Sequence, residues 1–272
     1  MKGGLLHLSA MQVASLRIIF SGLVLLPTAF KHFRHIPSNK LLFVFLSGSL
    51  GSLIPAYLFC IAEQGIDSAL AGVLNALTPI FVIINGALFF QSRTSANKVL
   101  GILIAFTGCL LLFFSKPVLS ESSNMLYVLY VIIATFCYGI NVNMVHRSLA
   151  GIPSLQIVAV ALTLNAIPAL IVLVFTGYFS LDLGNKDILL STFFSAILGV
   201  AGTSLASVLF YMLIKRAGAV FSSMVTYGIP FVAIMWGMIY GEQFGWKQVL
   251  CLIVILAGVY VANRKVRGAV GT

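Results

Sequence analysis

The stretch Pro153-SLQIVAVALTLNAIPALIVLVF-Thr176 decides the fold of this protein. It contains no charged residue, and nearly every position is apolar. A helix rises about 1.5 Å per residue, so roughly 20 such residues cross the ~30 Å hydrocarbon layer of a bilayer. Within lipid, backbone N–H and C=O groups must be satisfied internally, which only helices and closed barrels achieve. A barrel strand shows an alternating pattern over about 10 residues. This run is longer and continuous, so it is a transmembrane helix.

Eight further runs of the same kind flank it. Together they predict spans at 10–30, 40–62, 68–90, 97–115, 124–145, 153–176, 188–212, 218–240 and 247–263. Over its 272 residues the chain is 60% hydrophobic and only 8% charged. Soluble domains carry roughly 25% charge, so this chain cannot clothe a water-facing surface. The fold class is all-α, a polytopic membrane helical bundle. The links are short, which makes sequence neighbours packed hairpins and leaves no room for an extramembrane domain. Met1-Lys2-Gly3-Gly4 is not followed by the short apolar centre and cleavage site of a secretory signal.

The net charge of +10 does not indicate nucleic acid as a partner, because the cations are spread through short loops. One set of alternate loops, with the C-terminal tail, holds Lys31, Arg34, Lys40, Arg93, Lys98, Arg147, Lys215, Arg216, Arg264, Lys265 and Arg267, and no carboxylate. The other set holds Glu63, Asp67, Glu121, Asp182, Asp187 and Glu242, with Lys116, Lys186 and Lys247. The Lys/Arg bias assigns the first set and the C-terminus to the cytoplasm.

The chain also repeats itself. Gly51, Leu58, Phe59 and Pro79 match Gly202, Leu209, Phe210 and Pro230 at a constant interval of 151 residues. Val99, Leu100 and Gly108 match Val249, Leu250 and Gly258 at 150, and Gln12 pairs with Gln156 at 144. The matched spans run in opposite directions through the membrane, an inverted repeat of the kind many secondary transporters use. The units are 1–117 and 118–272. The span 124–145 has no partner in the first unit, so nine visible spans of a ten-span inverted repeat are expected, with the first helix missing and both ends of the full protein in the cytoplasm.

Polar groups inside lipid require a reason. Arg17 is the one charge well inside a span; it either snorkels to the outer interface or faces the bundle interior as an anion contact or a helix-locking donor. Pro79 and Pro230 sit mid-span at matched positions, where a lost backbone donor kinks a helix, and are candidates for a gate. Ser222, Thr226 and Pro230 form one polar stripe, with Ser223 and Tyr227 beside it, and Asn75 is the repeat partner of Thr226. Thr203, Ser207 and Tyr211 form another, and Tyr138, Asn141 and Asn165 lie in the remaining spans of the second unit. Such groups can serve as interhelical hydrogen bonds worth about 0.6 kcal/mol each; taken together they read as the lining of one central substrate cavity. Gly101, Ala105 and Gly108 form a small-residue stripe suited to close helix packing.

No Asp or Glu lies within a span, and there is no HExxH, GxSxG or histidine cluster. No enzyme, metal or cofactor is expected. Cys60, Cys109, Cys137 and Cys251 lie in apolar runs without CxxC spacing and read as buried, inert thiols. Without an intramembrane carboxylate, facilitated diffusion or exchange is expected in preference to obligate proton antiport.

Leu77-Thr78-Pro79-Ile80-Phe81 resembles the "ltP" helix of the EamA family, within the drug/metabolite transporter superfamily, and the helix from Gly101 to Leu112 resembles the one that follows it. The second copy shows Gly228-Ile229-Pro230-Phe231, Tyr240-Gly241-Glu242 and Leu256-Ala257-Gly258-Val259. Leu16-Arg17-Ile18 is similar to the family's "lRf" element. The glutamate that closes the ltP helix is present as Glu242, whereas Gln91 or Ser92 stands there in the first unit. The resemblance implies two five-helix units around a central cavity lined by the fourth and ninth helices of the family. It also implies an inner-membrane location and export or exchange of small metabolites or amphipathic compounds. The expected partners are the lipid bilayer and a small-molecule substrate, with a homodimer left open. The competing classes are a non-transporting scaffold or receptor-like membrane protein and, less favoured because no charged ring or carbonyl filter is visible, a channel.

Overall fold

A computed structural model describes residues 6–66, 68–114, 125–232, 235 and 245–264. Among the described residues there are nine helical spans and no strand. They are α1 (Ala10–His32), α2 (Ser38–Ala62), α3 (Ser68–Asn75 and Thr78–Phe90), α4 (Ala96–Phe114), α5 (Met125–Arg147), α6 (Ser154–Phe175), α7 (Lys186–Ala217), α8 (Ala219–Val232) and α9 (Trp246–Asn263). Seven are long and apolar enough to cross a membrane, while Ala96–Leu112 and Ala219–Val232 are apolar but shorter over the described residues. Asp67, Lys116, Glu121, Glu242, Lys265 and Arg267, which entered the charge count, lie outside the described residues, as does Tyr240-Gly241.

Each terminus of a helix leaves orphan backbone groups, and the local sequence supplies partners. At the start of α1 the Gln12 N–H donates to Ser9 Oγ while the Ser9 N–H donates to Gln12 Oε1, a reciprocal cap. The same Gln12 side chain donates to the Thr176 carbonyl at 3.1 Å, fastening α1 to the end of α6. At the other extreme α3 ends on Gln91, whose φ of 49° is left-handed, so that the Ser92 N–H returns to the Gly86 carbonyl.

Glycine sets the tight crossings. A Cβ on Gly22 of α1 would stand 2.9 Å from the Leu162 carbonyl oxygen of α6. The α4–α9 pair is closer still: a Cβ on Gly101 would lie 2.5 Å from Gly258 O, and one on Gly258 would lie 2.3 Å from Ala105 N. The small-residue stripe of α4 is thus a packing surface, and it meets the small residues of α9 at the position the sequence repeat matched to Gly108. All four cysteines are buried and unpaired.

Four helices are not regular, and here the structure goes beyond the sequence reading. α2 widens into a π-helical turn at Ser49–Leu53, and α7 does so at Val200–Leu205. Val200 follows Ser49 by the same 151 residues that separate Gly202 from Gly51. α3 breaks in a turn at 76–77, and α8 narrows to a 3₁₀ stretch at Met224–Gly228 that ends at the equivalent place. Pro79 and Pro230 therefore do not bend continuous helices. Pro79 sits in the first turn of a restarted helix, where its missing N–H is no loss, and Pro230 stands two residues past the end of the 3₁₀ stretch.

Candidate functional site

The four irregular segments converge on one cavity of about 330 Å³. Gly51 and Ser52 come from the first π-turn and Gly202 and Thr203 from the second. Asn75 and Thr78 flank the break in α3; Val225 and Thr226 lie in the 3₁₀ stretch of α8 and Ile229 follows it. Irregular backbone at membrane depth is tolerated where it is packed in protein or lines a cavity, and both conditions hold here. Tyr138, Asn141 and Val142 of α5, and Ala206, Ser207, Phe210 and Tyr211 of α7, complete the wall together with Arg17 of α1. Of the residues singled out in the sequence, Arg17, Asn75, Tyr138, Asn141, Thr203, Ser207, Tyr211 and Thr226 line this space.

Local hydrogen bonds hold the wall in place. Arg17 Nε donates to Thr203 Oγ1 at 2.6 Å. The side chain turns into the bundle and does not reach for an interface. A Cβ on Gly199 would meet the Arg17 carbonyl oxygen at 2.5 Å, so α1 and α7 touch backbone to backbone just before the second π-turn. Ser204 Oγ donates across the same contact to Ser21 O at 3.0 Å. On the opposite side the Tyr211 hydroxyl lies 3.1 Å from both Ser47 O and Asn141 Oδ1, sharing one proton between two acceptors. Gly51 leaves room for that pair, since a Cβ there would stand 2.3 Å from Asn141 Nδ2. Thr78 Oγ1 donates to Asn75 Oδ1 at 3.2 Å, and Thr226 Oγ1 donates to Ser223 O at 2.9 Å, so polar side chains dress both breaks. The Tyr138 ring stacks on Phe59, with centroids 6.1 Å apart.

Among the residues lining this cavity Arg17 is the sole charge. Its Nε is engaged by Thr203, and among the described residues its terminal amino groups have no hydrogen-bond acceptor.

Two of the candidate lining residues lie elsewhere, and the gate candidates Pro79 and Pro230 are not on the wall either. Asn165 clips α6 to α2: its Nδ2 donates to Phe45 O at 3.0 Å and Ala161 O at 2.8 Å, and its Oδ1 accepts from Ser49 Oγ at 2.8 Å. Every polar atom of this fully buried amide is spent on helix contacts. Tyr227 faces away from the cavity, and its hydroxyl donates to Ile102 O at 3.0 Å, joining α8 to α4. Thr78, Gly51, Gly202 and Phe210 line the cavity but were read only as repeat or motif markers. Their signal was the repeat itself, because three of them stand at matched positions.

A larger groove of about 790 Å³ runs between α1 and α6, walled by apolar residues such as Leu23, Leu26 and Ile167 with Lys31 and Arg34 at one end. Besides those two cations its lining has one polar side chain, Thr163.

The sequence profile described as "EamA-like transporter family" matches residues 1–114 and 125–264. An uncharacterized transporter of Archaeoglobus fulgidus is 27% identical over 264 residues, covering 95% of this chain and 90% of that protein. Protein PagO of Salmonella typhimurium is 23% identical over 234 residues, covering 83% of this chain and 73% of PagO. A solved crystal structure superposes with a TM-score of 0.71 over 96% of this chain and 90% of that one at 14% identity, a likeness of fold.

Proposed function

Because the chain belongs to the EamA-like transporter family, we propose that it is a secondary transporter exporting or exchanging small metabolites or amphipathic compounds, and that its solutes carry an anionic or strongly accepting group. The observation that carries the anionic part is the Arg17 guanidinium, the one charge on the cavity wall, held at its Nε by Thr203 with its terminal amino groups unengaged. Thr78, at the N-terminal end of the segment Thr78–Phe90, adds a helix end whose partial positive charge suits an anion. The aromatic and aliphatic wall, with Tyr138, Phe210 and Ile229, would take the apolar part of such a solute. A volume near 330 Å³ is at the lower end of the ~300–1,000 Å³ range of small-molecule sites, which favours a small solute.

Paired irregular segments in the two repeats support alternating access. Each broken or widened helix departs from the regular α-helical hydrogen-bond ladder beside the cavity and can change its pairing as one unit rocks against the other. The lining residues include no carboxylate to carry a proton, so exchange or facilitated movement is favoured over obligate proton antiport.

A ligand-stabilisation screen of the purified chain tests the reading, since a solute that binds the folded state raises its apparent stability by mass action. Small carboxylates and phosphates should stabilise the protein and then show flux in proteoliposomes. A folded protein that is neither stabilised nor active across a broad panel would return the reading to a membrane scaffold. Flux that collapses with the proton gradient at fixed membrane potential would overturn the coupling.

A further inference from the structure

A second polar concavity, of about 220 Å³, lies at the end of the bundle that carries the Lys/Arg-rich loops. Arg93, from the link between α3 and α4, and Lys98, from the first turns of α4, approach it from one side. His146 and Arg147, at the end of α5, approach from the other, with Ser92 and Thr94 between them. Among the described residues none of these six side chains makes a hydrogen bond or ion pair. By contrast Lys215, a short distance along the chain from the same rim, is spent on the Leu149 and Ile152 carbonyls. All six carboxylates of the protein belong to the other set of loops.

We infer that this concavity binds a phosphate group, supplied either by a phosphorylated solute or by a phospholipid headgroup. The tendency of cytoplasmic loops to carry Lys and Arg explains why cations are present. It does not explain why cations from segments far apart in sequence converge on one hollow, where like charges repel. A phosphate oxyanion relieves that repulsion, accepts forked bonds from Arg93 and Arg147, and takes hydroxyl donors from Ser92 and Thr94. The two sides of the hollow fall in the two family matches, 1–114 and 125–264. A bound phosphate would therefore bridge them, and, on the transporter reading above, hold this end of the bundle shut.

The test uses binding to the purified, delipidated full chain, so that it stands apart from any transport assay. Inorganic phosphate is titrated at constant ionic strength, and the unfolding temperature is followed; a parallel arm adds phosphatidylglycerol or phosphatidylcholine to the micelles. The inference predicts a saturable rise with phosphate, or with phosphatidylglycerol alone if the natural source is a headgroup. Arg93→Gln with Arg147→Gln should weaken half-saturation at least about tenfold, roughly 1.4 kcal/mol. Lys31→Gln with Arg34→Gln, a basic pair outside the hollow, should leave it unchanged. If the double variant does not fold, Lys98→Gln alone should still weaken it. No saturable effect of either probe beyond ionic strength, or equal effects in the two double variants, would overturn the site.

Discussion

Arg17 of α1 and Thr203 of α7 are joined by a 2.6 Å hydrogen bond from Nε to Oγ1, at the mouth of a π-helical turn. The bond fixes the plane of the guanidinium and leaves its terminal amino groups over the cavity. Arg17→Gln removes the charge, and hydrogen bonds to charged groups are worth about 1.5–3 kcal/mol. Affinity for an anionic solute should fall about 10- to 100-fold. Arg17→Lys keeps the charge, loses the bond to Thr203 and should fall between the two. Titration calorimetry on the purified protein checks this; equal affinities for all three chains would remove Arg17 from recognition.

Asn165 and Tyr211 are both buried, polar and hydrogen-bonded, yet only Tyr211 lines the cavity. Asn165→Leu deletes the α6–α2 bonds to Phe45 O and Ser49 Oγ, leaving the Ser49 hydroxyl only its bond to Phe45 O, and lost hydrogen bonds cost about 0.5–1.5 kcal/mol each. The variant should lose thermal stability while its folded fraction keeps wild-type affinity. Tyr211→Phe should do both, destabilising the chain and shifting affinity by releasing Asn141. Thermal unfolding beside a binding isotherm separates the two outcomes.

The α4–α9 contact depends on absent side chains. A Cβ on Gly258 would overlap Ala105 N at 2.3 Å and one on Gly108 would press on Ile255 N at 2.9 Å. Gly258→Val or Gly108→Val should destabilise the protein by at least about 1–3 kcal/mol, the usual range for overpacking. Gly228→Ala meets nothing within 4 Å and should be near neutral. Midpoint temperatures in one detergent suffice to rank the three.

The loop charges predict a cytoplasmic C-terminus. A fluorescent-protein fusion at Thr272 should glow in intact cells, and an alkaline phosphatase fusion there should be inactive. The opposite pair of results would invert the topology, and with it the side on which Arg93 and Arg147 lie.

Much of this was legible before any coordinates, for a physical reason. Spans are set by the thickness of the bilayer, so continuous apolar runs locate them, and each of the nine expected runs holds a helix over the described residues, that at 68–90 broken by the turn at 76–77. The π-turns at Ser49–Leu53 and Val200–Leu205 were not legible as such, because hydrophobicity does not record helix pitch. Only their glycines, Gly51 and Gly202, stood out, and they did so through the repeat. The polar stripes showed that Thr203, Ser207 and Tyr211 share a face, and the structure puts all three on the cavity wall. Asn165 shows the limit of that reasoning. An isolated amide in a span satisfies its hydrogen bonds on a neighbouring helix or in a cavity, and its own sequence context is the same in either case. Tyr227 adjoins Thr226, but one step along the 3₁₀ stretch turns a side chain by about 120°, enough to send its hydroxyl to Ile102.

Ser207 lies on the cavity wall between the two repeats, so its accessibility tests the alternating-access reading most directly. In a chain with Cys60, Cys109, Cys137 and Cys251 replaced by Ala, Ser207→Cys is exposed to a charged, membrane-impermeant thiol reagent from one side of sealed vesicles and then, separately, from the other. The account predicts modification from both sides, at rates that a transported solute shifts in opposite directions. Modification from one side only, with rates unmoved by any solute that stabilises the protein, would contradict it.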